Sequence, residues 1–158
     1  MKTIQTLALF TLLSTATMAR LYANDDGTSS KPIAMWVKAG QLYVVISADR
    51  KTIYAYSTLT CKSSLLKLDT PLPLEAKPIA ANSVAAIANG NIVYAIGATK
   101  GKWARLDFPS HGSHPVFDDE DAIRMSNETV FFLFGHDSDD WDGIDLETGK
   151  TVSPRKGG

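Results

Sequence analysis

Val84-Ala85-Ala86-Ile87-Ala88-Asn89-Gly90-Asn91-Ile92-Val93-Tyr94-Ala95-Ile96 is two short apolar runs on either side of an Asn-Gly pair. Asn-Gly supplies the positive φ values of a type I′ turn, whose twist matches that of paired strands, so this stretch reads as a β-hairpin. Neither run is long enough to present a helical face, and both end at turn residues. Working outward, the same punctuation recurs. Ile33 to Val37, Leu42 to Ser47, Ile53 to Ser57, Trp103 to Phe108, Ala122 to Met125 and Thr129 to Phe134 read as further strands, and helical periodicity is absent beyond Pro32. The expected fold class is all-β.

The chain also overlays on itself. With Gly40, Gly90 and Asn127 in register, Ala34 to Ile46, Val84 to Ile96 and Asp121 to Leu133 each read strand, tight turn, strand. The correspondence continues through Ile53 to Lys62, Trp103 to Gly112 and Trp141 to Lys150. The three turns lie 50 and 37 residues apart, the longer gap holding the Pro-rich stretch Thr70 to Pro78. Repeats of this length signal propellers and related architectures. Trp103 and Trp141 fall at one repeat position, which marks them as core.

Ile144-Asp145-Leu146-Glu147-Thr148-Gly149-Lys150 adds a turn whose chemistry is readable by itself: Asp145 accepts from turn amides and Gly149 takes the left-handed conformation. This element resembles the strand-and-turn unit of periplasmic β-propeller blades of the pyrroloquinoline-quinone type. The resemblance implies three blade-like antiparallel units, a partial β-propeller, and implies no activity or cofactor. It weakens in the first unit, where Ser57 and Cys61 stand in place of the Asp and Gly. A closed barrel of the β-trefoil type is the alternative for three such units. Propellers close with about 4 to 8 blades, so three blades point to a homodimer or a partner protein.

Lys2, the apolar stretch Leu7 to Leu13 and the small residues ending at Ala19 have the three parts of a secretory signal peptide. The expected organisation is a signal peptide over 1–23, cleaved after Ala19 or Ala23, a leader over 24–31, one repeat-built domain over 32–153 and a tail over 154–158. Export to the periplasm or the extracellular space follows. The apolar stretch is well short of the ~20 residues that span a bilayer, so no membrane span is expected. Removing 1–23 takes away Lys2 and Arg20 and moves the net charge from -1 to -3, which argues against a nucleic-acid partner. Cys61 is the only cysteine, so no internal disulfide forms, and a buried thiol is the expectation for it.

Asp137, Asp139, Asp140 and Asp142 crowd the loop before Gly143 and are the candidate metal ligands, with calcium the cation such oxygens suit. The D-x-D-x-D-G pattern is incomplete, because its twelfth position is Gly149 and not Glu, and a solvated acidic loop is the commoner origin of such a run. His111 and His114 have ligand-like spacing but need a third group from His136, Asp118 or Asp119. Asp118 to Asp121 reads as a solvated connector. No nucleophile elbow, phosphate loop or zinc-protease helix occurs. The leading reading is therefore a binding or assembly module for a protein or carbohydrate partner, without a cofactor. The alternatives are a calcium-dependent or metal-assisted hydrolase and a truncated relative of a longer propeller enzyme.

Overall fold

The computed structural model describes residues 33–109 and 114–154, and the signal peptide, leader, His111 and end of the tail lie outside them. Among the described residues, thirteen strands form three antiparallel sheets, each built in chain order. The first sheet holds β1 (Ile33–Ala39), β2 (Leu42–Ser47), β3 (Thr52–Ser57) and β4 (Lys62–Lys67). The second holds β5 (Ile79–Ala80), β6 (Val84–Asn89), β7 (Ile92–Gly97) and β8 (Trp103–Asp107). The third holds β9 (Val116–Asp119), β10 (Ala122–Ser126), β11 (Val130–Gly135), β12 (Asp142–Asp145) and β13 (Thr151–Val152).

The hairpin at Asn89-Gly90 is β6 and β7, paired from Val84 opposite Gly97 to Asn89 opposite Ile92. Its lack of apolar–polar alternation has a direct cause: the second sheet is covered on both faces. Ala85, Ile87, Tyr94 and Ile96 join Leu42, Val44, Ile46, Ile53 and Ala55 of the first sheet in one core. Val84, Ala86, Val93, Ala95, Leu106 and Phe108 point the other way and join Ile123, Met125, Phe132, Phe134 and Trp141 of the third sheet in another. The period-2 geometry of a strand sends successive residues into the two cores in turn.

Backbone hydrogen bonds define the repeat. The amide after the third strand of each sheet donates to the carbonyl just before the second strand: Thr58 to Gln41, Ala98 to Ser83 and His136 to Asp121, at 2.8, 2.8 and 3.0 Å. The amide after the fourth strand donates to the carbonyl before the third: Leu68 to Lys51, Phe108 to Asn91 and Leu146 to Thr129, each at 2.8 Å. Gln41, Ser83 and Asp121 are thus equivalent, spaced by 42 and 38 residues, and Lys51, Asn91 and Thr129 by 40 and 38. The three units are blade-like, as the sequence indicated, but in the Gly40, Gly90, Asn127 overlay the first one is out of register and the third is one residue off, since Gly90 matches Glu128. The true counterpart of the Asn89-Gly90 turn is the β2–β3 turn at Arg50, a residue with φ of +56° and no glycine to flag it. Gly40 belongs to the preceding β1–β2 turn, where a β-carbon would lie 2.3 Å from the Asn82 carbonyl oxygen.

Adjacent units are joined at their turns. Gln41 N–H donates to Asn82 C=O at 2.7 Å, and one unit further on Ser83 N–H donates to Glu120 C=O at 3.4 Å. Ser57 Oγ donates to Ala98 C=O at 2.7 Å, and its counterpart Gly97 sits so close to His136 that a β-carbon would lie 2.1 Å from the His136 carbonyl oxygen. The stack is all-β, with three separate sheets facing one another as in a partial β-propeller. A trefoil barrel is excluded, since each unit closes into its own sheet. The connector expected at Asp118 to Asp121 is in part a strand, β9, and the polar run Lys62 to Lys67 is one as well. Each lies at the edge of its sheet, where one face or both stays wet and sequence patterning is weak.

Trp103 and Trp141 are equivalent, each five residues before Phe108 and Leu146. Trp141 is 2% exposed against Phe134, ring centroids 5.4 Å apart, and Trp103 packs half-buried between the first and second sheets. Trp141→Ala should destabilise the fold by about 3 to 5 kcal/mol in equilibrium denaturation, as truncation of a buried aromatic does. A loss below about 0.5 kcal/mol, the range of surface changes, would contradict this packing.

Candidate functional site

Among the described residues, both faces of the second sheet are packed, and the outer faces of the first and third sheets carry no neighbouring sheet. On the first sheet, Trp36, Val45, Tyr54 and Leu65 form one cross-strand row and Lys38, Tyr43, Tyr56 and Ser63 the next. Trp36 is 51% exposed and Tyr54 47%, and Tyr56 and Leu65 are exposed as well. The Lys38 ammonium lies 5.2 Å from the Tyr43 ring centroid, and the Tyr43 and Tyr56 rings are 6.4 Å apart. Every β2 and β3 position in these rows is a core position elsewhere: Val45 matches Ile87 and Met125, Tyr54 matches Tyr94 and Phe132, and Tyr56 matches Ile96 and Phe134.

The outer face of the third sheet is the opposite side of the same repeat. Phe131 and Ile144 are cross-strand partners there, as are Leu133 with Arg124 and Asp142, and Val116 with Arg124. Phe131, Leu133 and Ile144 hold the positions of Ile53, Ala55 and Leu66 in the first sheet and of Val93, Ala95 and Leu106 in the second, which pack in the two cores. Arg124 is paired with Asp118 at 3.2 Å. The two faces differ in charge: Lys38 and Lys67 border the first, Asp118, Asp142 and Arg124 the second.

Three of the acidic candidates, Asp137, Asp139 and Asp140, lie between β11 and β12, and Asp142 is the first residue of β12. Asp137, Asp139 and Asp142 are exposed, while Asp140 is half-buried and accepts from the Trp141 amide at 2.9 Å. Among the described residues, no three His, Cys, Asp or Glu side chains gather as a metal-holding group. His114 and His136 are not brought together into one either. Cys61 is exposed, which corrects the expectation of a buried thiol: it takes φ of +55° in the β3–β4 turn, where its counterpart is Gly101 at +65°. There it lies beside the first outer face, and its hydrogen bond raises the Tyr56 phenol above its ordinary range.

A cleft of about 440 Å³ opens between the second and third sheets, lined by Arg105, Asp107, Phe108, Val130, Phe132 and Val152 among others. Its two charged groups answer each other, Arg105 Nε and Nη2 donating to the Asp107 carboxylate at 2.9 and 3.3 Å, and that pairing raises the guanidinium further. The outer-face aromatics were the residues sequence reasoning passed over. Their signal was present in Tyr43-Val44-Val45 and Tyr54-Ala55-Tyr56, where alternate residues share a face, but reading it required the correct register of the first unit.

No family model matches the sequence, and no curated protein matches it. Among solved structures, the fold is similar to Hsv2 of Kluyvelomyces marxianus at 9% identity and a TM-score of 0.36, with 73% of this chain aligned to 46% of that one. It is similar to the N-terminal domain of Nup159 at 8% identity and a TM-score of 0.37, covering 79% of this chain and 41% of that one. Hsv2 of Kluyveromyces lactis gives 8% identity and a TM-score of 0.30, covering 76% and 49%. The chain thus spans less than half the length of each. At this level of likeness nothing about activity is carried over, and the blade-like description rests on the sheets and their seams. The narrower resemblance to pyrroloquinoline-quinone-type blades finds no support in these matches.

The Asp145 turn forms as its residues dictate. Its carboxylate accepts from the amides of Glu147 and Thr148, at 3.1 and 2.7 Å, and from Thr148 Oγ1 at 2.9 Å, while Gly149 takes φ of +68°. The Thr148 amide and then its hydroxyl are the main causes holding the carboxyl below its ordinary value. A depressed folded-state pKa stabilises above the unfolded value and is lost as pH falls through the folded one. NMR titration should therefore find Asp145 ionising below 3.8, with the turn loosening only in the acid range beneath that, and Thr148→Ala should move the midpoint up. A midpoint at or above 3.8 in the parent would contradict the turn geometry.

Proposed function

We propose that this chain is an exported binding or assembly module whose working surfaces are the outer faces of the first and third sheets. One observation carries the reading: Val45, Tyr54 and Tyr56 on the first face, and Phe131, Leu133 and Ile144 on the third, stand at repeat positions whose counterparts pack in the cores between sheets. Exposed Trp36, Tyr54, Tyr56 and Leu65 on one face, and Val116 and Ile144 on the other, have the aromatic and aliphatic character of protein-binding cores, with charged residues at their borders. Contiguous exposed apolar surface of this kind marks interaction sites. A rigid stack of three sheets suits such a role, since it holds both faces in fixed orientation. Export follows from the amino-terminal sequence read above.

The reading is tested in the native cell with Tyr54→Glu and Ile144→Glu, both at exposed positions. The parent should appear in the soluble exported fraction in a particle larger than the free chain by gel filtration. Each variant should melt within about 0.5 kcal/mol of the parent, as surface changes do, yet elute as the free chain. Parent and variants all eluting as the free chain, or all in the same larger particle, would count against these faces as binding surfaces.

A further inference from the structure

The two outer faces are complementary halves of the contact that the molecule already makes twice. In the first pairing, Leu42, Val44, Ile46, Ile53 and Ala55 of the first sheet meet Ala85, Ile87, Tyr94 and Ile96 of the second. In the second pairing, the equivalent residues Val84, Ala86, Val93 and Ala95 of the second sheet meet Ile123, Met125, Phe132 and Phe134 of the third. Each contact joins one side of a unit to the opposite side of the next. What remains outside is the first kind of side on the third sheet, with Phe131, Leu133 and Ile144, and the second kind on the first sheet, with Val45, Tyr54 and Tyr56. The turns follow the same series. Gln41 N–H donates to Asn82 C=O and Ser83 N–H to Glu120 C=O, so the next donor is Asp121 N–H and the next acceptor in register is Gly40 C=O.

We propose that the third sheet of one copy packs its outer face on the first sheet of a second copy, and that this happens twice, closing a two-fold ring of six sheets. This rests on the reading of the outer faces as binding surfaces and names their occupant. A second copy is the occupant because it supplies, in one rigid body, both the side and the turn that each open face lacks. Charge agrees, with Lys38 and Lys67 on the first face and Asp118 and Asp142 on the third, where Arg124 already pairs with Asp118. Closure agrees as well: propellers close with about 4 to 8 sheets, and two copies fall in that range whereas three copies do not. The contact is head-to-tail, and two equivalent contacts about one axis satisfy the two-fold symmetry that most oligomers adopt.

Sedimentation equilibrium of the purified protein at micromolar concentration tests this. The parent should run at twice the chain mass. Tyr54→Glu, with Leu65→Glu as a second variant of the same face, and Ile144→Glu should each run as the single chain while retaining the parent's circular dichroism. Mixing Tyr54→Glu with Ile144→Glu should restore the doubled mass, because one of the two contacts is then intact on both sides. Like-on-like pairing would instead leave one face's variants dimeric and give no rescue on mixing, which overturns the head-to-tail contact. A parent that sediments as the single chain overturns the ring. If the same substitutions still shrink the native particle, the faces bind another partner and the functional reading stands. If they do not, both fail.

Discussion

Burial of the second sheet between its two neighbours is the constraint on which the rest depends. Val84, Ala85, Ala86 and Ile87 are all buried, two into each core, so no register slip of β6 could place a polar residue inside while leaving the strand half-wet. Full burial of a valine, isoleucine or phenylalanine is worth about 1.5 to 3 kcal/mol, whereas a net backbone hydrogen bond contributes about 0.5 to 1.5. The side chains between sheets therefore dominate the stability of the stack. The repeated amide bonds, from Thr58 and Leu68 in the first unit to His136 and Leu146 in the third, fix its register.

Close approach of the turns makes the stacking specific. Gly40 and Gly97 lie where a neighbouring backbone leaves no space for a side chain, against Asn82 and His136 respectively. Ser83 Oγ and Asn82 Nδ2 both donate to the Asp121 carboxylate, which ties the turn of the second unit to that of the third. These contacts orient the units so that the two outer faces carry opposite sides of the same repeat.

Much of this was legible in the sequence. The β6–β7 hairpin, β2, β7, the all-β class, the three units, the equivalence of Trp103 with Trp141 and the capped turn at Asp145 all follow from periodicity and turn chemistry. The register of the first unit does not, because its two equivalent turns carry Arg50 and Cys61 in left-handed conformations that glycine supplies at Gly90 and Gly101. Gly40, the one conspicuous glycine nearby, marks a different turn. β4 and β9 escaped because edge strands such as Lys62 to Lys67 mix polar residues on both faces. The outer aromatics were invisible for the same reason as the register: which side of Tyr54 and Tyr56 faces water depends on which strand of the repeat they occupy.

The register that distinguishes buried sides from open ones is tested most directly by native-state amide hydrogen exchange. Thr58, Ala98 and His136, and likewise Leu68, Phe108 and Leu146, should be protected together in all three units, since each donates to the equivalent carbonyl of its own sheet. If Thr58 and Leu68 exchange as freely as unbonded turn amides while their counterparts stay protected, the first unit is built in another register. Its outer face would then not be the counterpart of the two buried contacts.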